Sequence, residues 1–142
     1  MIEKLKSRDI EQTTKVYVKG LTMENPKGYA TLKETANNLK KLGCFIHKSN
    51  NKIDGLITFR KRGNNIILDF ICSLKLRKGI GSKLINKLTA YSLSKKINSI
   101  YSNVSGKDKR VIKFYHSLGF KKYGEKRSKR GLLLYKIKLS LK

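Results

Sequence analysis

The chain has 142 residues, of which 39% are hydrophobic, and its 34 lysines and arginines outnumber 9 acids to give a net charge of +25. A chain of this length can bury on the order of 70% of its unfolded surface, and its composition excludes a disordered protein. We therefore predict one globular domain over residues 1–142. The excess positive charge favours polyanionic partners, either nucleic acid or a phosphate-bearing cofactor.

The sequence gives no sign of membrane insertion or export. No segment reaches the ~18 apolar residues of a membrane span, and the N-terminal stretch MIEKLKSRDIEQ lacks the apolar core of a signal peptide. We expect a cytoplasmic protein. Cys44 and Cys72 lie in apolar runs and are predicted to be buried free thiols, and the spacing of the cysteines and histidines predicts no metal site.

The first part of the chain predicts one strand and two helices. A short strand fits MIEKLK, and a helix follows from Asp9, which forms a capping box with Gln12. Gly20 is predicted to end this helix. A second helix fits residues 32–42 and is expected to stop at Gly43.

From residue 44 onward the spacing of the apolar residues changes to one typical of strands. Strands are predicted at 44–47, 53–60 and 65–72, then a helix from near Ser82, a strand at 99–105, a helix at 109–120 ending at Gly119, and strands at 121–126 and 132–141. The order is β-α-α-β-β-β-α-β-α-β-β. The central strand–helix–strand unit implies a parallel pair, so we predict an α/β (α+β) fold with a mixed, mainly antiparallel sheet.

Residues 74–88, LKLRKGIGSKLINKL, place two glycines at the start of a predicted helix. Helix N-termini offer unpaired N–H groups, and glycine lets backbone approach a ligand closely, so this is either an anion site or a plain turn. Arg77 and Lys78 favour the anion site. A Walker A loop is excluded because Leu84 and Ile85 stand where it needs Gly-Lys, and a dinucleotide fingerprint lacks its third glycine.

The stretch resembles the acetyl-CoA loop of the GNAT superfamily of N-acetyltransferases, whose pattern is Gln/Arg-x-x-Gly-x-Gly/Ala after a central strand. Gly79 and Gly81 match, while Leu76 stands at the first position. A second match, DKRVIKFYHSLGF, has the family's helix spacing, with Asp108 where the family has Asn. The order of elements fits the family across the chain, including its splayed central parallel pair.

The resemblance implies that acetyl-CoA lies where the strand ending at Ile71 splays from strand 99–105. Backbone of the first strand would pair with the pantetheine arm, and amides of residues 77–82 would hold the pyrophosphate. The cofactor-binding residues predicted in this way are Ile71, Ser73, Arg77, Lys78, Gly79, Ile80, Gly81, Ser82, Asp108 and Phe114.

The implied reaction is direct attack of a primary amine on the thioester. Tyr115 stands where the family often has its general acid; the alternative is a tyrosine that packs against the cofactor. Asp69 interrupts the apolar run IILDFIC and shares strand parity with Ile71, so it is the predicted general base. A structural ion pair of Asp69 is the alternative reading, and Asp54 or a water chain are alternative bases. His116 is expected to be exposed.

In the family, the first two helices and the last hairpin shape the acceptor pocket. Here the early helices hold much of the acid, notably Glu24 and Glu34, beside the loop TMENPKGY, and this could steer a cationic amine there. Similarity to the protein N-terminal acetyltransferase branch favours a peptide or protein amine over a small amine or antibiotic. Two other functions stay open: a basic nucleic-acid-binding protein on the same fold, and a non-catalytic acyl-CoA-binding regulator. Oligomeric state is not predicted.

Overall fold

The structure, a computed structural model, describes residues 1–24, 32–75 and 78–141, without the side chains of residues 21–24, 32–35 and 38. Its strands are β1 Ile2–Lys4, β2 Gly43–Ser49, β3 Lys52–Arg62, β4 Asn65–Ser73, β5 Ser99–Ser105, β6 Lys121–Arg127 and β7 Leu133–Ser140. Its helices are α1 Ile10–Glu24, α2 Leu32–Lys41, α3 Ile80–Ser94 and α4 Lys109–Ser117. The predicted element order is confirmed.

The strands form one sheet in the order β1-β2-β3-β4-β5-β7-β6. β4 and β5 run parallel, with residues 65–67 paired to residues 99–101. β2 pairs antiparallel with both β1 and β3, and β7 pairs antiparallel with both β5 and β6. This is the predicted mixed, mainly antiparallel sheet with a parallel pair.

The chain contains two compact units, and the first comprises Met1–Arg60 and Asp69–Ala90. Its core joins α1 and α2 to strands β2, β3 and β4. The buried members are Val16, Leu39, Cys44, Ile46, Ile53, Leu56 and Phe70. The ring centroids of Tyr17 and Phe70 lie 4.5 Å apart. Each such side chain contributes about 1.5–3 kcal/mol when it is fully buried, so this contact surface fixes α1 on the sheet.

Gly20 does not end helix α1, which continues to Glu24. The prediction was wrong because the glycine serves packing and not chain reversal. A Cβ built on Gly20 would lie 2.8 Å from Cys72 Sγ and 2.9 Å from Cys72 Cβ. The missing side chain therefore lets α1 approach the end of β4 closely.

The second unit comprises Lys61–Leu68 and Tyr91–Lys142. Its buried apolar side chains are Ile66, Leu68, Ile97, Ile100, Val104, Tyr115, Phe120 and Ile137. The Ser102 hydroxyl donates to the Leu68 carbonyl at 3.2 Å and so ties β5 to β4 inside this unit. Helix α4 ends at a C-cap, Leu118, followed by Gly119 with φ +97°, which is a left-handed conformation that favours glycine.

Across the described ranges, every helix falls short of the length and apolar character that crossing a bilayer requires.

Replacing Gly20 by alanine should destabilise the protein by about 1–3 kcal/mol, because the added methyl overlaps Cys72 in a packed interface. Urea denaturation followed by circular dichroism measures this change. Gly124→Ala is the matched control, since a Cβ there meets Lys136 Cδ at an ordinary 3.6 Å. A Gly20→Ala variant within about 0.5 kcal/mol of the wild type would show that the contact is not tight.

Candidate functional site

The segment that leaves β4 is fixed by two sets of hydrogen bonds. The Ser73 hydroxyl donates to the Lys75 carbonyl at 2.8 Å and accepts from the Lys75 N–H at 3.3 Å. The Leu74 N–H donates to the Asp54 carbonyl at 2.7 Å. The path from the strand toward α3 is therefore set through Lys75. Leu76 and Arg77, the latter a predicted cofactor-binding residue, lie outside the described residues.

Gly79 has φ +71°, and a Cβ built on it would lie more than 4 Å from the other described residues. The left-handed conformation favours glycine, and among the described residues nothing crowds the backbone here. Helix α3 starts at Ile80, and the Lys83 N–H donates to the Gly79 carbonyl at 3.0 Å. The N–H groups of Ile80, Gly81 and Ser82 therefore stand at the helix start without intrahelical acceptors.

The charge around this helix start favours an anion. The first turn of α3 carries no acid, and Lys78 and Lys83 are exposed beside it. The positive end of the helix dipole adds to their field. Amides at the start of a helix, cationic side chains and a glycine in the turn are together the chemistry of an anion site. Ile71 and Ser73, predicted to lie along the pantetheine arm, are half-buried at the end of β4.

The Ile80 side chain anchors the helix start. It is 3% exposed, and its Cγ2 lies 2.7 Å from the position that a Cβ on Gly55 would take. Leu84, one turn later, lies 3.4 Å from the same position. Ile80 can therefore contribute its backbone amide to a ligand while its side chain holds α3 against β3.

Asp69 is paired with an arginine. Its side chain is 26% exposed, and its Oδ1 lies 3.4 Å from Arg60 Nε. Burial raises the pKa of the Asp69 carboxyl above its usual value, and the Arg60 charge opposes this in part. Burial and the Asp69 charge in turn raise the pKa of Tyr17. The structure thus shows the ion pair of the alternative reading together with a pKa shifted toward neutrality, which suits a base.

Asp54, an alternative base in the sequence analysis, is the centre of a buried polar cluster. Its Oδ1 lies 2.6 Å from His47 Nδ1, and its Oδ2 accepts from the Ser49 hydroxyl at 2.6 Å. Lys75 Nζ lies 3.5 Å from the same Oδ2. Burial alone would raise the pKa of Asp54, but the hydrogen bonds from Ser49 and His47 outweigh it and lower the pKa.

Sequence reasoning missed this cluster because it depends on a break in strand register. His47 pairs with Gly55 and Lys48 pairs with Ile53, so Asp54 is the extra residue of a β-bulge. The bulge turns the Asp54 side chain toward β2. No residue pattern marks a bulge position. The presence of His, Ser and Asp in one otherwise apolar hairpin was the sequence signal that could have indicated a polar cluster.

In the second unit, Asp108 is the N-cap of α4, with its Oδ1 accepting from the Val111 N–H at 3.2 Å. The carboxylate therefore has a structural task, satisfying a helix amide and complementing the helix dipole. Aspartate and asparagine serve this capping role about equally well.

Tyr115 is 4% exposed and lies among aromatic rings. Its ring centroid is 5.4 Å from that of Phe114 and 5.2 Å from that of Phe120, both edge-to-face. Phe114 is half-buried, and His116 is exposed as predicted. Of the predicted site residues, Asp108, Phe114 and Tyr115 belong to the second unit; the described others belong to the first.

Neither cysteine forms a disulfide, and Cys44 is buried while Cys72 is half-buried. Burial raises the pKa of the Cys44 thiol to about 12, so it stays protonated at neutral pH. Among the described side chains, no three His, Cys, Asp or Glu residues are placed to hold a metal ion.

Several solved structures share this fold over nearly their full length. An N-acetyltransferase from Staphylococcus aureus Mu50 gives a TM-score of 0.81 at 20% identity, covering 100% of this chain and 98% of its own. The ribosomal-protein-S18-alanine N-acetyltransferase from Escherichia coli gives a TM-score of 0.81 at 17% sequence identity. The match covers 99% of this chain and 93% of the Escherichia coli chain. The PaiA N-acetyltransferase from Thermoplasma acidophilum, solved with coenzyme A, gives a TM-score of 0.81 at 15% sequence identity. The match covers 99% of this chain and 98% of the Thermoplasma chain.

Sequence comparison defines the family. No curated protein matches the chain. The model of the acetyltransferase (GNAT) domain matches residues 11–141, which is most of the chain. The chain therefore belongs to the GNAT family of acetyltransferases, enzymes that take their acetyl group from acetyl-CoA.

Proposed function

We propose that this acetyltransferase acts as a single domain over residues 1–142 and acetylates a primary amine of a peptide or protein by direct attack. The observation that carries the proposal is the turn at residues 79–82. A left-handed, open Gly79 precedes helix amides that lack intrahelical acceptors, with exposed lysines beside them. This chemistry suits the pyrophosphate of the acetyl donor.

The residues proposed to hold acetyl-CoA extend from this turn. They are Ile71, Ser73, Arg77, Lys78, Gly79, Ile80, Gly81, Ser82, Asp108 and Phe114. Amides at residues 79–82 donate to phosphate oxygens, and the backbone at Ile71 and Ser73 pairs with the pantetheine arm as an added strand would. The charge of Asp108 is engaged by the Val111 amide.

Acetyl-CoA supplies an acetyl group activated as a thioester. The attacking amine must be neutral, and a lysine amine with a pKa of ~10.4 needs more help than an α-amine with a pKa of ~8. Asp69 accepts the proton, directly or through water. Its raised pKa supports this role because a base works best when its pKa lies near the working pH.

Tyr115 is the proposed general acid. When the C–S bond breaks, the departing sulfur carries the bonding electron pair and gains stability from a proton that the phenol donates. The support is its position on α4 and its burial among Phe114 and Phe120, which restricts the ring to a narrow set of orientations.

A protein α-amine is the proposed acceptor. The Escherichia coli neighbour is by name an alanine N-acetyltransferase of ribosomal protein S18, and it shares the whole fold with this chain. An α-amine also places the smaller demand on Asp69. The loop TMENPKGY, expected beside the acceptor, lies mostly outside the described residues.

A second function, binding of single-stranded nucleic acid, is favoured by one face of β5, β7 and β6. The register aligns Tyr101 with Lys138 and Lys121 across the three strands. Tyr123, which is 46% exposed, meets Tyr101 edge-to-face with 5.7 Å between ring centroids. The Nζ atoms of Lys136 and Lys138 lie 5.2 and 5.7 Å from the Tyr123 ring centroid.

This basic-aromatic face, defined by Tyr101, Lys121, Tyr123, Lys136 and Lys138, is well suited to a polyanion with bases. In the described residues of β5, β6 and β7 the one acid is Glu125, which pairs with Lys122 and lies opposite Tyr135 in the register. Lysines can contact phosphates while the tyrosines stack on bases. An acidic peptide would use the charge but not the rings.

The cofactor proposal predicts that acetyl-CoA stabilises the wild-type protein. At a concentration a hundred times Kd, binding adds about 2.7 kcal/mol to the free energy of unfolding, which raises Tm by roughly 5–10 °C for a chain of this size. Gly79→Ala strains the turn and should weaken binding by about tenfold, the factor that 1.4 kcal/mol represents. Thermal unfolding and calorimetric titration measure both effects.

Gly63→Ala is the matched control for this experiment, because Gly63 has φ +62° and open space but lies in the β3–β4 turn. It should lose stability to a similar degree and keep cofactor affinity. A wild-type Tm that does not respond to saturating acetyl-CoA would refute the proposal. Cofactor binding without CoA release from any acceptor would favour the non-catalytic acyl-CoA-binding regulator.

The proton-transfer roles predict distinct kinetic changes. Tyr115→Phe should lower kcat by about 10²–10⁴-fold with little change in the KM for acetyl-CoA. Asp69→Asn should abolish the rise of kcat with pH that accompanies deprotonation of Asp69, whose pKa burial raises above its usual value. CoA release is measured with a peptide that has a free N-terminus, and an N-terminally blocked copy tests the α-amine. Wild-type turnover in a folded variant removes that residue from its role.

The basic-aromatic face predicts specific loss of oligonucleotide binding. Lys136→Gln combined with Lys138→Gln, or Tyr123→Ala alone, should weaken binding of labelled U12 RNA and dT12 DNA by about tenfold or more, since one stacked base is worth about 1–3 kcal/mol. Fluorescence anisotropy at several salt concentrations measures this. Lys52→Gln with Lys61→Gln removes equal charge from exposed positions elsewhere. Equal losses in both double variants would mean that net charge alone attracts the strand.

A further inference from the structure

The Asp69 carboxylate is engaged on one side. Its Oδ1 lies 3.4 Å from Arg60 Nε, and within the described part of the chain no hydrogen bond reaches its Oδ2. Asp54 differs, because His47 contacts its Oδ1 while Ser49 and Lys75 contact its Oδ2. A general base must keep an oxygen available for the proton, and Asp69 meets this condition better than Asp54.

Arg60 lies where β3 leaves the packed interior. Thr58 and Phe59 directly before it are buried, whereas the Arg60 side chain is 59% exposed and that of Asp69 is 26% exposed. The backbone of Arg60 is therefore held by the sheet while its guanidinium stays largely in water. A cation in this position loses little hydration, stays charged at every working pH, and acts on a partner that is the more buried of the two.

Two opposing effects set the protonation of Asp69. Burial raises the pKa of its carboxyl, and the Arg60 charge lowers it. From helix α1, Tyr17 faces the same carboxylate, and burial together with the Asp69 charge raises the pKa of this phenol, so it is neutral at neutral pH. Among the described groups that act on Asp69, Arg60 is thus the one that favours the ionised form. Without it, burial would leave more of Asp69 protonated and unable to accept a proton.

We propose that Arg60 is a positioning residue of the general base, holding Asp69 as a carboxylate with one oxygen left for the proton of the acceptor amine. The inference rests on the proposed function, in which Asp69 accepts that proton. It makes the ion pair a part of the catalytic arrangement rather than an alternative to it.

The test follows kcat against pH in Arg60→Gln, using saturating acetyl-CoA and a peptide with a free N-terminus. The part of the acid limb that Asp69→Asn abolishes belongs to Asp69. In Arg60→Gln this limb should move to higher pH, because loss of the guanidinium raises the pKa of Asp69. At a fixed pH on the limb, kcat should fall by about two- to fivefold, the size of effect that a partly exposed ion pair supports. The plateau at higher pH should stay within about twofold of the wild type.

Two further measurements separate this role from a merely structural one. Arg60→Lys keeps the positive charge and should return the limb toward its wild-type position. Carbon-13 NMR of the Asp69 side-chain carboxyl, titrated without acceptor, should show its midpoint at higher pH in Arg60→Gln than in the wild type, with Arg60→Lys in between or unchanged. This second readout does not depend on turnover.

Lys15→Gln is the matched control, because Lys15 Nζ lies 3.6 Å from Glu11 Oε1 in an exposed ion pair of the same unit. It removes the same charge and should leave both the limb and the Asp69 titration unchanged. Since Arg60 is largely exposed, its variants are expected to fold, which circular dichroism checks. An unmoved limb in Arg60→Gln, or an equal loss of kcat at all pH values, would overturn the inference.

The Asp69→Asn variant separates this inference from the proposed function. If its kcat keeps the pH dependence of the wild type, Asp69 is not the base, and the proposed proton transfer is refuted together with the role of Arg60. If Asp69→Asn loses the limb while Arg60→Gln leaves it in place, only the positioning role is refuted.

Discussion

Strand β3 has no side chain at Gly55, and the start of helix α3 occupies the space that this leaves. A Cβ there would lie 2.7 Å from Ile80 Cγ2 and 3.1 Å from the Cys72 carbonyl. This close approach fixes the first turn of α3 against β3. The burial of Ile80 follows from this contact, and with it the place at which the N-terminal amides and the positive end of the helix dipole of α3 stand.

Carboxylates are scarce in this chain, and three of them occupy settings that give each a different chemistry. Asp54 is saturated with donors and keeps its charge. Asp69 has one arginine partner and a pKa raised by burial, so it can change protonation nearer to neutral pH. Asp108 accepts a hydrogen bond from an amide at the N-terminus of helix α4. Proximity to donors, not residue type, therefore separates structural from reactive acids here.

The element order and most strand positions could be predicted because hydrophobic period and turn residues are local signals. Strand 99–105 and the exposure of His116 were predicted correctly. The prediction for Gly20 was wrong because a glycine that ends a helix and a glycine that allows close packing look the same in the sequence. What reveals the packing role is the contact with Cys72, which is far along the chain. The Asp54 cluster escaped prediction because a one-residue bulge sets which way its side chain points.

The contact between Gly20 and Cys72 also constrains how this sequence can diverge. Their closeness means that a larger residue at either position needs a compensating change at the other, so the two sites should vary as a pair across descendants of this chain. Cys72 directly precedes Ser73 at the end of β4. A substitution at Gly20 in helix α1 therefore affects the end of β4, where the pantetheine arm is proposed to bind. The two regions are expected to evolve together.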